Sequence, residues 1–285
     1  MSNRPKVSAL VPAYQSAGFI QETLDSLSLQ TQDGFSVIIS VDLCDDETYE
    51  VCLQHCSKDS RFSVVKQDKR LGYVGNCNAL LDMANSDYVL FAFHDDILDA
   101  SYVERLCAIL DSEPDVVMSF SDVLLTTVEG ETRYWKYQKL DGVEKKFTRG
   151  LAMLSRKGHW WVPNRGVFRL EEARTIQGLK THAYGEFSTD WPWLFHMSLL
   201  GQFKSIPEVL CYKFYKKESI TRGWGFSLKQ WHSVTFACLR EVLISSISMW
   251  DKVRLAGYLA YKLIKLQVEI QTGSFISCFK SRKES

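Results

Sequence analysis

Two adjacent carboxylates, Asp95 and Asp96, close a short apolar run, Tyr88-Val89-Leu90-Phe91-Ala92-Phe93-His94. Such a run reads as a buried strand, because both of its faces must meet core. Asp99 then stands where a helix beginning Ala100-Ser101-Tyr102-Val103 would take its cap. The acids should therefore lie at the C-terminal end of a parallel strand, where open α/β sheets bind their ligands. Paired carboxylates there suit a hard divalent cation that takes its remaining ligands from water and a phosphate. A solvated turn leading into a helix accounts for the same pair.

The elements around the pair follow from the pattern of apolar residues. Val7 to Pro12 reads as a first strand, stopped by a proline that cannot donate to a ladder. Ser16 is placed to cap a helix through Phe19, Ile20, Leu24 and Leu27. Phe35 to Val41 is a second strand running into the acidic loop Asp42-Leu43-Cys44-Asp45-Asp46, with a helix from about Glu47. Phe62 to Val65 is a third strand, followed by the basic, glycine-containing loop 69–76 and a helix through Ala79, Leu80 and Met83. Strand and helix alternating at this spacing predict a right-handed parallel α/β sheet covered on both faces.

The rhythm changes after Pro114. Val116 to Phe120 reads as a strand, Val123 to Tyr137 as an antiparallel excursion, and 143–160 as helix. A short strand over Gly166 to Arg169 and a short helix over Glu171 to Gly178 follow. Asp190 opens an aromatic helix with Pro192 in its first turn, Gln202 to Tyr215 returns as a strand, and 226–271 is helical. The expected organisation is one α/β unit over 1–225, with halves at about 1–115 and about 116–225, and a helical extension over 226–285.

Composition narrows the function classes. Formal net charge is zero across 285 residues, which gives no global basic field for nucleic acid. The start of the chain is too short in apolar residues for a signal-peptide core, and no run of roughly 18 uncharged apolar residues occurs. A cytoplasmic protein is the expectation. Its eight cysteines are scattered in apolar contexts and fit a reducing compartment. Cys52 and Cys56 are one helical turn apart with no second cluster, so they read as small buried hydrophobes rather than zinc ligands.

Four motifs at the ends of successive strands resemble a family 2 glycosyltransferase of the GT-A fold, over roughly residues 5–110. Val11-Pro12-Ala13-Tyr14 resembles the first-strand motif. Val41 to Thr48 resembles the acidic second-strand loop, with Val41 in place of its first aspartate and Leu43 and Cys44 in place of glycine and serine. Arg70-Leu71-Gly72 through Asn78 resembles the glycine loop, with Cys77-Asn78 for the usual Arg-Asn. Phe93-His94-Asp95-Asp96 sits at the DXD position, with Phe93 replacing its first acid. Further on, Glu186 to Trp191 falls where the family places a catalytic Glu-Asp pair, with Thr189 replacing the first member. Tyr212 to Thr221 resembles a later segment in which Tyr215 takes the place of a histidine near the diphosphate.

The resemblance implies a mostly parallel GT-A sheet flanked by helices and an inverting transfer from a nucleotide-diphosphate sugar, a UDP-sugar being favoured. The acceptor would be a glycan or a lipid-linked sugar, in bacterial polysaccharide assembly. A divalent cation, Mn²⁺ or Mg²⁺, on Asp96 aided by Asp95 would neutralise the leaving diphosphate. Pro12, Ala13 and Tyr14 would frame the base and ribose, Asp42 would accept from a base N–H, and Arg70, Gly72 and Asn78 belong to the same nucleotide site. Asp190 would take the acceptor's proton, with Glu186 the second candidate, although an aspartate before Trp191-Pro192 also suits a helix N-cap. Trp160, Trp161, Trp191 and Trp193 are divided between sugar stacking and core, and Arg165 and Arg169 are candidates to meet acceptor or diphosphate. His94 reads as a structural hydrogen-bonder. The cationic helical C-terminus, with Trp250, Tyr258 and Tyr261, could instead rest on the inner face of a membrane. The alternatives are nucleotidyl transfer, or a domain that binds nucleotide or glycan without turnover.

Overall fold

The computed structural model describes residues 4–215 and 227–271. The first half alternates strand and helix: β1 (Val7–Ala13), α1 (Ile20–Ser28), β2 (Phe35–Val41), α2 (Thr48–Cys56), β3 (Phe62–Lys66), α3 (Gly72–Met83) and β4 (Tyr88–Phe91). These strands pair in parallel in the order β3-β2-β1-β4. β1 is buried at every residue, as a strand with neighbours on both edges and helices on both faces must be. The chain leaves β1 toward β2 on one side and returns as β4 on the other. The carboxyl ends of β1 and β4 therefore form a switch point, where such sheets leave a crevice.

The second half turns the sheet mixed. It contains β5 (Asp96–Leu98), α4 (Tyr102–Ser112), β6 (Val116–Thr126), β7 (Thr132–Trp135), α5 (Lys146–Ser155), a 3₁₀ turn (Val162–Arg165), β8 (Val167–Arg169), α6 (Leu170–Thr175), α7 (Asp190–Leu200) and β9 (Gln202–Phe214). β8 is antiparallel to both β4 and β6, β9 runs parallel to β6, and β5 is antiparallel to β9. β6 and β7 form the expected antiparallel excursion. The central expected strand is shorter than its apolar run, because the chain turns after Phe91 and re-enters the sheet at Asp96. Asp99 lies just before α4 rather than at its N-cap, which is Ser101, and its carboxylate accepts from the Ser101 N–H at 2.9 Å.

Two further helices, α8 (Leu228–Ile244) and α9 (Met249–Gln271), pack on the second half, α8 against α7 and α9 against α5 and α8. A capping box formed by Ser227 and Gln230 starts α8. Its buried Glu241 reaches α7: one oxygen accepts from Lys180 Nζ at 2.9 Å and from His196 Nδ1 at 2.8 Å. The other accepts from Arg240 Nε at 3.1 Å. Nearby charges hold the Glu241 carboxyl below its ordinary range although burial opposes them. Removing a buried charge strands the partners it satisfies. Glu241→Ala should lower unfolding free energy by about 3 kcal/mol, read as a lower urea midpoint with an unchanged slope.

Candidate active site

Asp96 and Lys213 are directly opposed across the antiparallel β5–β9 pair, so their side chains share a face. Phe214 N–H donates to Asp95 O at 3.2 Å and fixes that register. Lys213 Nζ consequently meets both acids, 2.8 Å from Asp95 Oδ2 and 3.3 Å from Asp96 Oδ1. Arg165, the last residue of the 3₁₀ turn, places its Nε 2.7 Å from Asp96 Oδ2. The four side chains are 3% to 14% exposed. Burial works against every one of these charges. Even so, Asp96 and Asp95 raise the Lys213 pKa above its ordinary value, and Lys213 holds Asp95 below its own.

The backbone leaves Arg165 little room to move. Tyr102 Oη donates to its carbonyl at 2.6 Å. A Cβ on the following residue, Gly166, would lie 2.5 Å from the Ser119 carbonyl oxygen, so only glycine lets the turn approach β6 this closely.

A divalent ion does not fit this donor set. The first position of the DXD pattern is Phe93, whose ring lies 5.5 Å from the Arg165 guanidinium carbon. Lys213 and Arg165 already occupy carboxylate oxygens of Asp95 and Asp96. Among the described residues no group of three or more His, Cys, Asp or Glu could hold a metal. The expectation of Mn²⁺ or Mg²⁺ on Asp96 and Asp95 thus meets two side-chain cations where the ion would sit.

Asp190 is the first residue of α7, with Thr189 at the N-cap position and no side-chain capping bond, so the cap reading does not describe it. Burial pushes its carboxyl from an ordinary 3.8 up to about 6, with its own and the Trp191 amide and the Arg165 charge pulling the other way. Arg165 therefore acts on both Asp96 and Asp190. Glu186 is engaged elsewhere, its Oε1 accepting from Val74 N at 2.8 Å in the first turn of α3. Gly72, at φ +74°, lets the carboxylate come close, since a Cβ there would lie 2.6 Å from that oxygen.

Several expected nucleotide contacts are taken up within the protein. Asp42 is buried and accepts from three amides, those of Leu43 (3.0 Å), Leu71 (2.7 Å) and Gly72 (2.9 Å), and Arg70 Nε forms an ion pair with it at 3.0 Å. Most of the capacity of this carboxylate is thus spent inside the protein. Asn78 spends its amide on both backbone groups of Leu179, each at 2.9 Å. Pro12 and Ala13 are buried and their carbonyls serve His94 Nδ1 at 3.0 Å and the Asp42 amide at 2.9 Å. Tyr14 and Arg70 remain partly open, with the guanidinium carbon 3.2 Å from the ring centroid. Arg169 points inward to the carbonyls of Val116 and Leu110 and away from this site.

Of the four tryptophans, Trp160, Trp191 and Trp193 are core, and Trp161 is half-buried. Trp161 packs with Trp135 and His159 at 5.5 and 5.4 Å, and Trp135 meets Tyr215 at 6.2 Å. Tyr215 stands 5.7 Å from Lys213 Nζ, so an aromatic wall runs up to the buried charges. Trp135 and His159 were not legible as part of it, because the wall forms only when β7 folds back on β6. The expected segment 216–221 lies outside the described residues. A cavity of about 540 Å³ between the 182–184 turn and α8 is lined by His182, Tyr184, Lys229 and His232 and by none of the strand-end acids.

The strand-end acids, the switch point and the mixed second half are the arrangement of a GT-A domain. The family model described as glycosyl transferase family 2 matches residues 8–170, and the chain belongs to that family. EpsH of Bacillus subtilis is 30% identical over 115 residues, 40% of this chain and 33% of EpsH. The chain spans a third to two-fifths of the length of the first curated relatives it matches. In fold it is similar to S. aureus TarS 1-349 in complex with UDP-GlcNAc, with TM-score 0.69 and 16% identity over 90% of this chain and 71% of the other. It is also similar to the Pyrobaculum calidifontis mannosyltransferase PcManGT in complex with GDP-Man and Mn²⁺, with TM-score 0.59 and 14% identity over 95% and 75%.

The raised Asp190 pKa has a cost whose sign is fixed. The folded state binds this proton more tightly than the unfolded chain, so stability falls as pH rises from about 4 to about 6 and stays lower above that. Asp190→Asn should therefore stabilise the protein at about pH 7.5 by on the order of 1–3 kcal/mol. The difference should vanish near pH 3.5, as measured by urea unfolding at both values.

Proposed function

We propose that the protein is an inverting glycosyltransferase acting from a nucleotide-diphosphate sugar, a UDP-hexose by preference, onto a hydroxyl of a glycan or lipid-linked acceptor in bacterial polysaccharide assembly. The observation that carries the reading is Asp190, a carboxylate with its pKa near 6, within electrostatic reach of the Arg165 held on the strand-end acids. A group with that proton affinity is ionised at neutral pH yet still a useful base. The acceptor oxygen would attack the anomeric carbon as its proton passes to Asp190. The bond from that carbon to the diphosphate oxygen breaks, and the leaving group departs with the electron pair. The similarity to TarS, crystallised with UDP-GlcNAc, supports the UDP preference.

Tyr14 and Arg70 are the surface offered to the base, and the wall of Trp161, Trp135 and Tyr215 is the surface offered to a sugar, whose apolar face stacks on aromatic rings. Residues 1–225 are the transferase unit in this reading and 226–285 an extension, of which α8 packs on α7. Among the described residues no helix is long and apolar enough to cross a membrane. The reading includes a lipid-linked acceptor and a cytoplasmic enzyme resting on the inner membrane face, and Met249 and Trp250, 74% and 70% exposed at the start of α9, are the apolar surface that would meet the membrane. On that reading Trp250→Ser should reduce co-sedimentation with anionic vesicles, and unchanged co-sedimentation would remove the membrane contact.

The reading is tested with a panel of UDP-, GDP-, CMP- and dTDP-linked sugars, with melting temperature and donor hydrolysis as readouts. One nucleotide should raise the melting temperature. Asp190→Asn should keep that shift and lose about 10²- to 10⁴-fold in turnover. Wild-type kcat/KM should rise with pH through about 6. Binding without turnover would instead leave a nucleotide-binding domain, and no shift for any ligand would overturn the reading.

A further inference from the structure

We infer that Lys213 and Arg165 take the place of a divalent ion, so that a nucleotide diphosphate is held here by side-chain cations and binds without metal. This rests on the proposed donor class and goes beyond it. Charge counting gives the first argument: two carboxylates balance one divalent ion, and here Asp95 and Asp96 balance one lysine and one arginine. The net charge of the cluster is the same in the two cases.

Geometry gives the second. Arg165 spends only its Nε on Asp96, and its two terminal nitrogens have no hydrogen-bond partner among the described residues. A guanidinium anchored through Nε and left open at its far edge presents two parallel N–H donors, the fork that matches a phosphate. Lys213 Nζ has three donors and uses two, on Asp95 and Asp96.

The third argument is the cost of the alternative. An incoming ion would have to displace Lys213, which is 10% exposed and fixed by strand register opposite Asp96. The displaced ammonium would then stand beside a dication. Phe93 offers no ligand in compensation, and its ring instead covers one side of the guanidinium.

The experiment is calorimetric titration of the whole protein with UDP, GDP and dTDP, each in EDTA and in Mn²⁺. Kd for the preferred nucleotide should agree within about threefold between the two conditions. Lys213→Met should weaken binding in EDTA by about tenfold or more. Mn²⁺ should then recover it, because the variant frees Asp95 Oδ2 and Asp96 Oδ1 for the ion. Wild-type binding that appears only with Mn²⁺ would overturn the inference and leave the proposed function standing. Binding in neither condition would overturn both. The wild-type comparison decides the matter without any variant. If Lys213→Met does not fold by circular dichroism, Arg165→Lys serves as the second variant. It should weaken binding equally in EDTA and Mn²⁺, and weakening in EDTA alone would count against the inference.

Discussion

The site depends on four buried charges brought from three distant stretches of chain: Asp95 and Asp96 after β4, Arg165 before β8, and Lys213 on β9. Each alone would be prohibitively costly to desolvate, and together they are tolerable only in a geometry that satisfies all of them. That requirement ties the parallel half of the sheet to the mixed half. β5 must pair with β9 so that Asp96 faces Lys213, and the 3₁₀ turn must press against β6 so that Arg165 reaches Asp96. Such clusters are weak evidence for stability, since apolar residues of similar size can serve the fold as well. Their presence at a switch point is better understood through the charge they present to a ligand.

A second constraint explains why that charge sits on side chains. The start of α3 follows a basic, glycine-containing loop, and helix N-termini ordinarily offer free amides to phosphate. Here the Leu71 and Gly72 amides go to Asp42 and the Val74 amide goes to Glu186. Two of the protein's own carboxylates already fill the place of an anion. Among the described residues, donors left over near the strand ends include the outer nitrogens of Arg165 and the third proton of Lys213, with Arg70 at the rim already shared with Asp42 and Tyr14.

Much of the architecture could be read from local pattern. Apolar runs of strand length placed β1, β2, β3 and β4, and helical spacing placed the helices between them, which is enough to put Asp95 and Asp96 at strand ends. What could not be read was who partners whom. Lys213 is 117 residues from Asp96 and Arg165 is 69 away, and only the β5–β9 register and the Gly166 contact bring them together. The same gap hid the partners of Asp42 and Asn78. Their residue types announce hydrogen-bonding capacity, but the donors that consume it come from a loop 29 residues on and a turn 101 residues on. Asp190 was legible as an acid before an aromatic helix, and its raised pKa was not, because burial is a property of the packed whole.

Asp95 and Asp190 then show how one crevice supports two kinds of carboxylate. Both are desolvated, which alone would raise both pKa values. At Asp95 burial is outweighed by Lys213 together with His94 and Arg165, and the group is held below its ordinary value. Asp190 has no such direct cationic partner among the described residues, so burial prevails and its pKa climbs to about 6. Environments that drive two acids apart in this way separate a fixed electrostatic role from a proton-accepting one. Arg165 links the two: it is bonded to Asp96 and close enough to Asp190 to keep that acid from rising further. A negatively charged ligand drawn to the outer edge of Arg165 would partly cancel that restraint. The proton affinity of Asp190 would then rise at the moment a donor is bound, which is when a base is needed.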